Sequence, residues 1–136
     1  MFEWLTGKGY KYQNTRQYLR LPASWPVKFE QGAQALPPLS STKDVSAGGV
    51  SLTLPNPIPI GSPLRLEISV PPLSRSIAAQ GRVVRCLPMQ RGGFDVGIRF
   101  EQIGPGDRED LREAVEQFIP PRERERAAKA WWRKVE

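Results

Sequence analysis

Two short stretches of the chain carry side chains whose types and spacing suit recognition of a polar, anionic ligand. Arg16 and Arg20 stand four apart in Arg16-Gln17-Tyr18-Leu19-Arg20. A guanidinium is planar, always charged and carries parallel N–H donors, so a pair can fork onto phosphate, bond a base edge or stack on a base. The second stretch is Asp44-Val45-Ser46-Ala47-Gly48-Gly49, a D-x-S-x-x-G pattern. It offers a carboxylate that accepts, a hydroxyl that can donate or accept, and glycines that admit close backbone approach. The arginine spacing alone carries little weight. The same spacing recurs at Arg108/Arg112 and Arg122/Arg126, on stretches with helical periodicity, where it reads as a solvated face; Arg108→Ala is therefore expected to leave fold and binding unchanged. The D-x-S-x-x-G pattern is rarer, expected far less than once in a chain of this composition. Read locally, it is also a loop in which Asp44 and Ser46 bond nearby backbone and the glycines supply positive φ. Both readings stay open at this point.

What the chain lacks narrows its chemistry. It has 136 residues, enough for one domain with a modest core. There is no histidine and one cysteine, Cys86. That removes the usual general base, an internal disulfide, Cys-cluster metal sites and every Ser-His or Cys-His nucleophile pair. An enzyme is not expected, and no metal or cofactor is called for. With 39% hydrophobic and 25% charged residues, the chain has the composition of an ordinary globular domain. The formal charge is +6, with net +4 on residues 1–43, +2 on 44–103 and zero on 104–136. A basic first third fits an anionic partner: nucleotide, nucleic acid or acidic lipid. No apolar run is long enough to span a membrane, and the N-terminal residues lack the basic and apolar regions of a secretory leader, so a cytoplasmic location is expected.

The elements that must position these residues are mainly β. Residues 1–15 mix aromatics with Gly7 and Gly9 and read as an arm. Pro26 opens a strand at Val27–Phe29, and residues 31–38 read as a Gly/Ala/Pro loop. Val50, Leu52 and Leu54 alternate with polar residues, as do Leu64 to Val70 and Phe94 to Phe100; residues 77–87 form a fourth, less regular β segment. Period-two alternation marks half-buried antiparallel strands, with Ser51, Thr53, Arg65, Glu67, Ser69, Asp95 and Arg99 facing out. Short strands with Pro/Gly turns predict a small barrel or sandwich. Leu111, Ala114, Val115 and Phe118 form the apolar stripe of a helix with acids in its first turn, ended by Pro120-Pro121. Residues 122–135 can form a second short helix.

The order of the two motifs, followed by the Gly97-Ile98-Arg99-Phe100 strand and a helix, resembles the PilZ domain family of bacterial cyclic-di-GMP receptors. The resemblance implies a six-stranded antiparallel β-barrel with a closing C-terminal helix over residues 16–119, preceded by the 1–15 arm and followed by a 120–136 tail. It further implies ligand contacts from Arg16, Arg20, Asp44, Ser46 and Gly49. The chemistry agrees: arginines read guanine O6 and N7 or grip phosphate, while Asp44 accepts from guanine N1–H and the exocyclic amine. Two departures stand out. Many members carry a basic residue just before the first motif arginine, where this chain has Thr15, which leaves open one ligand molecule or a stacked pair. Some place a stacking aromatic near the end of the 77–87 strand, where this chain has Arg85-Cys86; Arg85 is a candidate to stack instead.

The resulting expectation is a non-enzymatic receptor for cyclic-di-GMP that passes the signal to a protein partner. The alternative is a module of the same fold that binds no nucleotide and acts through a protein partner, as in pilus or flagellar control. Single-stranded nucleic acid is disfavoured, because the outward strand positions hold no stacking aromatic. Trp25 and Cys86 read as packing residues. For Trp131-Trp132, partner or membrane contact, packing on the barrel and a frayed tail all stay open.

Overall fold

The computed structural model describes residues 18–31, 34–35 and 40–126. The expected arm, Arg16 and the Trp131-Trp132 tail lie outside the described residues. Eight strands and a helix follow in order: β1 (Leu21–Pro22), β2 (Pro26–Gln31), β3 (Gln34–Ala35), β4 (Ser40–Ser46), β5 (Gly49–Leu54), β6 (Pro63–Val70), β7 (Arg75–Pro88), β8 (Phe94–Ile103) and α1 (Pro105–Glu116). All pairings are antiparallel, in the order β1-β4-β5-β8-β7-β6-β2-β3, and β2 also pairs with β4. That extra pairing closes β4, β5, β8, β7, β6 and β2 into a six-stranded barrel, which leaves none of the six with an open side.

The alternation in the sequence drives the closure. Val50, Leu52 and Leu54 on β5, Leu64, Leu66, Ile68 and Val70 on β6, and Val96, Ile98 and Phe100 on β8 all point inward and are buried. Trp25 is buried with them, as its reading as a packing residue requires, and Cys86 lies half-buried against the same core. The seam between β2 and β4 is short, with Pro26 opposite Ser41 and Val27 opposite Ser40. Thr42 reinforces it from inside. The Trp25 N–H donates to Thr42 Oγ1 at 2.9 Å, the Thr42 N–H donates to the Trp25 carbonyl at 2.9 Å, and the Thr42 hydroxyl donates to the Ala23 carbonyl.

Four features depart from the sequence reading. Residues 40–46, which carry Asp44 and Ser46, form strand β4 and not a loop. Within the expected 31–38 loop, Gln34–Ala35 forms a short strand paired with β2. Ser51, read as facing out, does share the outward face of Asp44 but is only 2% exposed. Phe118, assigned to the buried helix stripe, is 57% exposed. Helix α1 stops at Glu116, so the i+7 position falls beyond its last turn and Ile119 is buried instead. Leu111, Ala114 and Val115 do face the barrel. Pro105 opens the helix, and Arg75 on β7 fastens its first turns with Nη2 at 3.0 Å from Asp107 and 2.8 Å from Asp110. Residues 121–126 start a second helix after Pro120. Among the described residues no helix is long and apolar enough to cross a membrane.

Candidate functional site

Asp44 and Ser46 are two apart on β4, so both side chains leave the same face of the strand. Gly49 and Ser51 repeat that spacing on β5, and Gly97 and Arg99 on β8. The register lines these pairs into two rows across the sheet. One row runs Asp44, Ser51, Gly97, Arg85, and its neighbour runs Ser46, Gly49, Arg99, Arg82. Arg82 and Arg85 are three apart, and both face outward because the ladder shifts between Val83 and Arg85. A cleft of about 290 Å³ lies over the first row and over Ser46, Gly49 and Arg99 of the second.

Leu21 pairs with Val45, which brings Arg20 to the level of Ser46. Leu19 and Leu21 pack on the core while Arg20 is exposed at the cleft edge. The structure thus brings Arg20, Asp44, Ser46, Gly49 and Arg85 to one cleft. Arg16 falls outside the described residues.

The Ala47-Gly48 turn joins β4 to β5 and is bonded on all sides. Ser46 Oγ accepts from the Gly48 N–H at 3.1 Å and donates to the Gly49 carbonyl at 3.3 Å. The Phe100 N–H donates to the Gly48 carbonyl at 2.9 Å. The motif glycines are not there for positive φ, which among the described glycines occurs at Gly61, Gly92 and Gly93. They are there for space. A Cβ at Gly49 would sit 2.1 Å from the Ile98 carbonyl oxygen, and one at Gly48 would sit 2.9 Å from the Tyr18 ring. Gly49 therefore admits the neighbouring strand β8, a requirement separate from the ligand contact that the resemblance implies.

The reading of Arg108 as a solvated helix residue is also corrected. Its Nη1 donates to the Ala47 carbonyl at 2.9 Å, and its guanidinium lies 5.5 Å from the centre of the Tyr18 ring. Arg108 thereby ties α1 to the motif turn and to the segment leading into β1. Its pattern partner Arg112 does stay on the helix, bonding Glu109 and Glu116.

Arg85 donates from Nη2 to Asp95 at 3.1 Å, and Lys43 Nζ lies 3.3 Å from the other oxygen of the same carboxylate. Burial alone would push the Asp95 pKa up. The two cations outweigh that and hold it below the ordinary carboxylate range. Arg82 is likewise committed, to Glu101 at 2.8 Å and the Gly61 carbonyl at 2.7 Å. Among the described residues, Arg20, Arg99 and Asp44 have no ion-pair partner, so two cations and one acceptor face the cleft uncommitted. Tyr18, Ser51, Arg99 and Arg108 were not foreseen as site residues. The i, i+2 spacing from Gly49 and from Gly97 points to Ser51 and Arg99, whereas no local signal marks Tyr18 or Arg108.

The PilZ domain family model matches residues 14–117. The chain belongs to the PilZ domain family. Among solved structures it is similar to the Bacillus subtilis inhibitor of motility MotI/DgrA, at 22% identity and a TM-score of 0.67, over 75% of this chain and 49% of that one. It therefore spans about half the length of that protein. It is also similar to the PilZ domain of Escherichia coli YcgR with c-di-GMP, at 17% identity and a TM-score of 0.57, over 85% of this chain and 96% of that one. A third is the MrkH–c-di-GMP complex from K. pneumonia, at 14% identity and a TM-score of 0.61, over 81% and 55%. At these identities the likeness establishes the fold. No curated protein sequence matches the chain.

Proposed function

We propose that this protein is a cytoplasmic receptor for cyclic-di-GMP that acts on a protein partner and catalyses no reaction. The observation that carries the reading is the convergence of Arg20, Asp44 and Ser46 on one cleft, from the segment before β1 and from β4. A guanine needs donors for O6 and N7 and an acceptor for N1–H and the exocyclic amine. Arg20 supplies the first and Asp44 the second, with Arg99 free for phosphate. Arg16, four residues before Arg20, adds a second guanidinium from the N-terminal side. A ligand held by both the barrel and that segment ties one to the other, and this is the change a partner reads. YcgR and MrkH, whose solved structures hold c-di-GMP, share the fold and support the choice of ligand.

The test is a calorimetric titration with cyclic-di-GMP, with GTP, a linear dinucleotide and cyclic-di-AMP as controls. Cyclic-di-GMP is expected to bind with a Kd in the micromolar range or tighter, about −8 kcal/mol. Cyclic-di-AMP is expected to bind far more weakly, because adenine has no O6 and no N1–H for Asp44. Equal affinity for the two, or no binding of cyclic-di-GMP, overturns the proposal.

A further inference from the structure

We infer that the Ser51 hydroxyl is a further guanine contact, one that reads the exocyclic amine alongside Asp44. This rests on the reading of the cleft as a cyclic-di-GMP site. Ser51 is 2% exposed in the floor of the cleft, and its Oγ has no hydrogen-bond partner among the described residues. Buried hydroxyls are bonded as a rule, and an orphan calls for an explanation. A second orphan lies in the same row. Arg85 Nε is also buried and without a partner, while the Nη2 of that guanidinium is held by Asp95. Between the two, Gly97 contributes no side chain. The guanidinium lies over that gap, its Cζ and Nη1 3.0 Å from where a Cβ of Gly97 would be. Two unsatisfied polar atoms therefore flank one position of the sheet that has no side chain of its own and is covered by the Arg85 guanidinium, inside the cleft that holds Asp44.

The register says what the hydroxyl can read. Asp44 and Ser51 are direct cross-strand partners, with side chains on the same face. Such partners have Cβ atoms about 4.5–5.5 Å apart, a spacing one purine edge can span. A guanine whose N1–H and one amine hydrogen go to the Asp44 carboxylate has a second amine hydrogen left over. The Ser51 oxygen is placed to accept it. In the free protein the Arg85 guanidinium covers this position, and an arriving base must lift it.

The experiment compares cyclic-di-GMP with cyclic-di-inosine monophosphate, whose base lacks only the exocyclic amine, on wild-type protein and on Ser51→Ala. The variant is expected to bind cyclic-di-GMP roughly five-fold more weakly, the loss of one hydrogen bond, and to bind the inosine analogue as wild type does. Its melting temperature without ligand is expected not to fall, since the hydroxyl is unbonded there. Ser51→Cys keeps a small, slightly larger side chain with a poorer acceptor and is expected to bind cyclic-di-GMP with an affinity between wild type and Ser51→Ala. An equal loss for both nucleotides, no loss for either, or a lowered melting temperature overturns the assignment to Ser51 while wild-type binding leaves the cleft reading in place. Failure of wild-type protein to bind cyclic-di-GMP overturns both.

Discussion

Arg108→Ala removes the contact that joins α1 to the motif turn. In the folded protein the side chain is half-buried, with one charged hydrogen bond of 2.9 Å to the Ala47 carbonyl and one face over Tyr18. A hydrogen bond to a charged group contributes roughly 1.5–3 kcal/mol, and an exposed cation–π contact about 0.5–1 kcal/mol. The Ala47 backbone is buried with its side chain, but water can still replace part of a half-exposed guanidinium. We therefore take the low end, about 1.5–2 kcal/mol in total. For a domain of this size that corresponds to a fall of about 5–10 °C in Tm. The same loss loosens the Ser46–Gly49 turn, which the ligand must then reorder, so cyclic-di-GMP affinity is expected to fall about ten-fold. Thermal unfolding and calorimetric titration measure the two effects. Arg112→Ala is the comparison, because Arg112 bonds Glu109 and Glu116 on its own helix and touches no part of the turn. If Arg108→Ala behaves like Arg112→Ala in both assays, the clamp does no positioning and the reasoning fails.

Arg20→Ala should weaken cyclic-di-GMP binding by roughly 1–3 kcal/mol without shifting Tm, since the side chain is exposed; a matching Tm loss would place Arg20 in the fold. Gly49→Ala should destabilise severely, because its Cβ would meet the Ile98 backbone oxygen at 2.1 Å and the β5–β8 pairing would have to open; chemical denaturation giving a wild-type midpoint would refute this. Asp95 has a lowered pKa in the folded protein, so the stability it contributes is present above the ordinary carboxylate pKa of about 4 and is lost as pH falls through the lower folded value. Denaturation curves of Asp95→Asn should therefore lose less stability than wild type on acidification below about pH 4, and parallel losses would refute the pairing.

Much of the fold was legible because alternation is a local property. Val50-Leu52-Leu54, Leu64 to Val70 and Phe94 to Phe100 each announce a strand with one buried face, and the strands observed contain them. Strand β4 was less legible: Ser40 to Lys43 hold no apolar residue, and Thr42 faces inward to bond Trp25 and Ala23 across the seam. Phe118 was misplaced because periodicity does not say where a helix ends. Asp44 and Ser46 of the candidate site were found from the rarity of the D-x-S-x-x-G pattern and its resemblance to the PilZ motif, whereas only the structure, by placing both on β4, shows that their side chains share one face.

By itself, then, the sequence determined the inward faces of β5, β6 and β8, and the R-x-x-x-R and D-x-S-x-x-G patterns that carry two arginines, an aspartate and a serine. It also determined the absence of histidine and of cysteine pairs, which no fold can restore. Only the tertiary structure decided what stands beside them. Ser51 meets Asp44, Gly97 meets both Ser51 and Arg85, and Arg108 meets Ala47 across 61 residues of chain. Those neighbours follow from cross-strand register and from closure of the barrel. Both are set by packing the inward faces of six strands together, so a side chain's partners depend on residues far from it in sequence and leave no local pattern to read.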